Sequence, residues 1–130
     1  LEGLVARMAA ERATAADKAS LKAILAEMRA AFEAGDLMAY STINGRLHDE
    51  IQRIGGNSTA RRILETLESQ IVRFQFRTIL LAGRAAQSMK EHVEIVSAIS
   101  AGDAERADTV MRRHLDHILA ALRTAIASHG

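Results

Sequence analysis

Residues 36–56 read DLMAYSTINGRLHDEIQRIGG, and the spacing of their apolar side chains decides the class of fold. Tyr40, Ile43, Leu47, Ile51 and Ile54 recur three or four residues apart, the period of one face of an α-helix. Ala34-Gly35-Asp36 precedes them, with glycine suited to the left-handed position that closes a helix and aspartate suited to capping the next one. Gly55-Gly56 ends the pattern.

The same period extends in both directions. Toward the N-terminus, Leu21, Ile24, Leu25, Met28 and Phe32 form a second stripe, and Thr14 with Asp17 resembles a capping box at its start. Leu1, Leu4, Val5 and Met8 give a first helix running to about Arg12. Toward the C-terminus, Asn57 or Ser58 caps a fourth stripe of Ile63, Leu64, Leu67, Ile71, Phe74 and Leu81, which breaks around Gly83. Met89, Val93, Val96 and Ile99 mark a fifth helix, and Ala107, Val110, Met111, Leu115, Ile118, Leu122 and Ile126 a sixth. Between these two, Ala101-Gly102-Asp103 repeats the punctuation of residues 34–36, although the flanking residues do not align as a repeat. Sustained period-two alternation is missing. The expectation is an all-α, antiparallel bundle of six to seven helices, a single domain over residues 1–130.

Composition agrees. The chain has no proline, the residue that most strongly interrupts helices. With only one tyrosine and three phenylalanines, its core must be built from Leu, Ile, Val, Met and Ala. Seventeen basic and sixteen acidic residues nearly cancel, and Arg61-Arg62 and Arg112-Arg113 are too small to form a nucleic-acid footprint. Absence of cysteine removes disulfides and thiolate metal sites and permits a reducing cytoplasm. No apolar run is long enough for a membrane span. Because the chain opens at Leu1 directly on a helical pattern, a further segment upstream is expected.

Three histidines interrupt the apolar seams. His48 lies beside Leu47 and Ile51, His92 between Met89 and Val96, and His114 between Val110 and Ile118. A single histidine on an apolar face is more often a hydrogen-bonded core residue than a ligand. Three on the seams of three helices need partners together, and one divalent metal satisfies several imidazoles at once. Asn44 precedes His48 by four residues and shares its helix face, giving a two-point grip that His92 and His114 complete. Imidazole donors favour zinc, nickel, iron or cobalt over calcium or magnesium. His117 competes with His114 for the third position, whereas His129 lies too near the terminus.

Arg73 and Arg77, one turn apart and flanked by Phe74 and Phe76, either snorkel to water or form a guanidinium fork for a carboxylate. Phe74, Phe76 and Tyr40 read as core packing. A glycine-rich phosphate loop, a His-Glu-x-x-His helix and a cysteine nucleophile are all absent, so no catalytic apparatus is legible.

These residues, in this order, resemble the C-terminal FCD domain of the FadR subgroup of GntR-type bacterial transcription regulators. The likeness is carried by Leu1-Glu2, Ala9-Ala10-Glu11-Arg12, Gly35-Asp36, Asn44 with Leu47-His48, Gly56-Asn57, Glu91-His92, Ala98-Ile99 with Gly102-Asp103, and Met111-Arg112-Arg113-His114-Leu115. It implies a cytoplasmic helical bundle that homodimerises and binds a small carboxylate effector. An N-terminal winged helix-turn-helix domain, missing from this chain, would contact operator DNA. It also implies a divalent metal, zinc or nickel foremost, at the positions of Asn44, His48, His92 and His114, favouring His114 over His117. The family places aspartate where this chain has Asn44, and usually phenylalanine at Leu47. A neutral carbonyl oxygen replaces an anionic ligand. The expected role is therefore an effector-sensing module, not an enzyme. A metal-free helical interaction module and a helical-bundle metalloenzyme are the alternatives.

Overall fold

In a computed structural model, the described residues are 2–56, 58–60, 62–63 and 83–129. Among them are five long helices and no strand: α1 (Glu2–Arg12), α2 (Ala15–Glu33), α3 (Leu37–Gly55), α4 (Arg84–Ser100) and α5 (Ala104–His129). Residues 58–60 and 62–63 are also helical, and the rest of the expected fourth stripe lies outside the described residues.

The helix ends follow the local chemistry. Thr14 and Asp17 form a reciprocal capping box, the Thr14 hydroxyl accepting from the Asp17 N–H and the Asp17 carboxylate from the Thr14 N–H. That backbone bond, followed by the Arg53 hydrogen bond, holds the Asp17 carboxyl below its ordinary value. At both Ala-Gly-Asp junctions glycine takes the left-handed conformation, with φ of +70° at Gly35 and at Gly102. The following aspartate N–H reaches back to the carbonyl of Ala31 or Ala98, and the glycine N–H to that of Phe32 or Ile99. This is the paired hydrogen-bond closure that left-handed glycine permits. Asp36 and Asp103 then accept from the Ala39 and Arg106 N–H groups, opening the next helix.

Helix α1 packs against α3, α4 and α5, while α2 packs against α3 and α4. Small residues allow this close approach. A Cβ added at Gly55 would meet a Val5 methyl and the Val5 carbonyl at 3.0 Å. The seam expected for α1 is displaced by this packing. Leu4 is 45% exposed, whereas Ala6, Ala9 and Ala10 are buried beside Val5. The largest apolar residues of α1 do not define its inner face, because its neighbours come too near to accommodate them. Ile63, expected on the fourth stripe, is likewise 47% exposed. On the other described stripes Leu21, Met28, Leu47, Ile51, Val96, Ile99 and Met111 are buried. No helix among the described residues is long and apolar enough to cross a membrane.

Candidate metal centre

Helix periodicity delivers the site. On α3, Tyr40, Asn44 and His48 succeed one another at intervals of four. On α4, Arg84, Ser88, Glu91 and His92 fall at i, i+4, i+7 and i+8, again one face. α5 adds His114. The three helices turn these polar stripes toward each other, and His48, His92 and His114 are 7%, 0% and 1% exposed.

The imidazoles are in mutual contact. Nε2 of His48 and Nε2 of His92 are 3.2 Å apart. The His48 and His114 rings stack at 5.6 Å between centroids, and His92 meets His114 edge-on at 4.5 Å. One nitrogen from each of the three lies within 4.8 Å of the others, close enough to hold a common ion.

His114 and His92 are held from behind. The His114 Nδ1–H donates to Glu91 Oε1 at 2.7 Å. Because a carboxylate only accepts, this bond places the His114 lone pair on Nε2. That atom is buried without a hydrogen-bond partner, as is Asn44 Oδ1. Nδ1 of His92 lies 3.3 Å from both the Tyr40 hydroxyl and Ser88 Oγ, and the tyrosine donates to the serine at 2.8 Å.

Burial sets the protonation states. It is the main cause that drives His92 well below the usual imidazole range, with the nearby His114 and His48 adding to it. Burial likewise lowers His114 to about 4, against the opposing hydrogen bond to Glu91. For Glu91 burial alone would raise the carboxyl, but hydrogen bonds from His114 and His117 and the Arg84 charge bring it down to about 2. Tyr40 is pushed up to about 12, chiefly by desolvation. At neutral pH His92 and His114 are therefore neutral, the state in which imidazole ligates a metal, and Glu91 behind His114 is anionic.

Of the residues singled out in sequence, His48, His92 and His114 converge. Asn44 contributes a buried, unpartnered oxygen on the same face of α3 as His48. His117 stays outside the cluster: its side chain is 38% exposed and its Nδ1 hydrogen-bonds Glu91 Oε2. Arg73 and Arg77 lie outside the described residues. Sequence reasoning passed over Arg84, Ser88 and the role of Glu91. Their signal was available as a polar stripe in register with His92.

A protein-family model, the FCD domain, matches residues 1–117. The chain belongs to the FCD domain family. The matched span includes all the histidines of the cluster together with Arg84, Glu91 and His117. No curated protein matches the chain. FCD domains form a regulatory family, consistent with the all-helical architecture.

The donor chemistry fits a divalent metal. Two orphaned buried acceptors, Asn44 Oδ1 and His114 Nε2, accompany two imidazole nitrogens that face one another. Leaving such atoms without partners is costly, and a cation is the group that accepts lone pairs from all of them.

Proposed function

We propose that this FCD domain is the effector-sensing and dimerisation module of a GntR/FadR-type transcription regulator. In this reading it binds a small organic acid beside a divalent metal held by His48, His92, His114 and Asn44. The observation that carries the proposal is the buried three-histidine cluster with its oriented, unpartnered His114 Nε2. Zinc or nickel suits imidazole donors. When bound, the metal supplies a Lewis-acidic anchor for an anionic ligand. Glu91 holds the His114 tautomer, and the Tyr40–Ser88 pair positions His92 through its Nδ1. Asn44 brings no negative charge, so the ligand's own carboxylate completes the neutralisation. Effector binding then selects one packing of the bundle and repositions an attached DNA-binding domain. Arg73 and Arg77 remain candidates for a second contact to the effector.

Metal analysis of the purified chain, with melting before and after chelation, tests this reading. About one zinc or nickel per chain and a lower melting temperature after chelation are expected, because a ligand bound only to the folded state stabilises it. The double replacement His92→Ala and His114→Ala should abolish uptake while leaving a helical protein. Asn44→Asp should tighten metal binding by restoring an anionic ligand. A metal-free wild-type protein whose melting ignores chelator after supply of zinc and nickel would defeat the metal reading.

A further inference from the structure

Arg84 is the first residue of α4, immediately after the left-handed Gly83. It is only 7% exposed, which is unusual for a cation. Its Nη2 donates to Glu91 Oε1 at 3.2 Å, the same oxygen that accepts from His114 Nδ1 at 2.7 Å. Arg84 and the histidine cluster are thus joined through one atom. Its Nη1 is buried and has no partner.

A purely structural role in neutralising Glu91 does not account for this arrangement. Guanidinium and carboxylate pair best through two parallel N–H···O bonds. Here Arg84 Nη2 shares Glu91 Oε1 with His114, while His117 occupies the second oxygen. Nη1 of the guanidinium is left desolvated without a hydrogen-bond acceptor, and such a group needs one. The three orphaned atoms around the cluster are complementary: Asn44 Oδ1 and His114 Nε2 are acceptors, and Arg84 Nη1 is a donor. A cation satisfies the first two. Only an anion or another acceptor satisfies the third.

We infer that Arg84 is an anion-binding residue of this site, its free Nη1 edge taking the carboxylate of a small organic acid beside the histidines. This rests on the effector reading above and assigns that ligand an anchor within α4. A planar carboxylate matches the flat N–H edge of guanidinium. Arg84 and Glu91 carry opposite charges and face each other, so the pair leaves room for the modest charge of a carboxylate. A phosphate dianion would bring an excess of buried negative charge beside Glu91.

The test uses acetate as probe on the 130-residue chain, both stripped of metal and loaded with Co2+. Carbon-13 line broadening of labelled acetate reports binding in either state, and the cobalt spectrum reports metal uptake separately. Arg84→Lys keeps a positive charge for Glu91 but loses the free edge. It should weaken acetate binding about ten-fold, near 1.4 kcal/mol, while Co2+ affinity stays within about two-fold. Arg84→Gln should weaken acetate at least as much. In the unmutated protein, acetate should shift a single buried arginine resonance, a readout that requires no variant to fold. Acetate affinities unchanged in both variants, no arginine shift, or tighter binding of inorganic phosphate than of acetate would overturn the inference. If the stripped protein binds acetate through Arg84 and takes no Co2+, the metal reading falls and the Arg84 assignment stands.

Discussion

The core around α1 and α2 and the seam shared by α3, α4 and α5 are equally buried, but they are stabilised in opposite ways. Around α1 the interior is mainly apolar, with Val5, Ala6, Ala9, Leu21, Met28 and Ile99, and the buried Asp108 beside it is paired with Arg7 at 3.1 Å. There Arg12 donates to the Gly55 carbonyl at 2.6 Å, satisfying an acceptor at the end of α3. On the histidine seam the interior holds His48, Arg84, Glu91, His92 and His114, and three of its polar atoms have no partner. The first region stabilises the fold by removing apolar surface from water. The second retains groups whose desolvation opposes folding, which is what a preorganised binding site requires.

The largest test of the contrast lies in the apolar region. Ile99 is fully buried, and Ile99→Ala removes three carbons from a packed interior. A cost of about 2–5 kcal/mol is expected, with a cavity contribution where neighbours cannot collapse. Denaturant unfolding should show a lower midpoint with little change in slope. A loss below about 0.5 kcal/mol would mean that this core is not the source of stability.

Acid acts on the other region. His114 has a folded-state pKa of about 4 and His92 lies well below the usual imidazole value, so between pH 6.5 and 4 the unfolded chain binds protons that the fold refuses. Stability is then full above about pH 6.5 and falls as pH drops through that window. Glu91, lowered to about 2, extends the loss below its ordinary value of 4.5 in the same direction. Metal-free protein should melt on the order of 10 °C lower at pH 4.5 than at pH 7. His92→Leu combined with His114→Leu should flatten the profile above pH 5. A profile equally steep in that variant would place the acid sensitivity elsewhere.

Helix boundaries were readable from sequence because they depend on neighbours in the chain. Thr14 with Asp17, and glycine followed by aspartate at residues 35–36 and 102–103, formed the expected caps because each partner lies within a few residues. Thr14→Ala should therefore cost about 1 kcal/mol, measurable as a small fall in melting temperature and little else. The inward face of α1 was not readable, since the burial of Ala6 in place of Leu4 depends on how closely other helices approach. His48, His92 and His114 could be selected as a set because each interrupted an apolar stripe. Arg84 and Glu91 could not be assigned in the same way. A charged residue on a helix usually faces water, and only the tertiary arrangement shows Glu91 serving three partners at once.

The smallest expected stability change is the one that most sharpens the contrast, His48→Leu. His48 is 7% exposed, and its hydrogen-bond contact is the 3.2 Å approach to His92 Nε2. Replacing it exchanges one imidazole contact for apolar burial of similar volume, and the two nearly offset each other. Metal-free His48→Leu should unfold within about 1 kcal/mol of the unmutated domain, whereas truncation at Ile99 costs several times more. Its metal affinity should nevertheless fall steeply, because one of three imidazole donors is gone. Chelation should lower the melting temperature of the unmutated domain and leave that of His48→Leu unchanged. A loss of more than about 2 kcal/mol without metal would instead assign His48 a structural role comparable to that of the apolar core. The separation between the two regions would then fail at the residue that joins them, since α3 carries both His48 and the core residues Leu47 and Ile51 beside it.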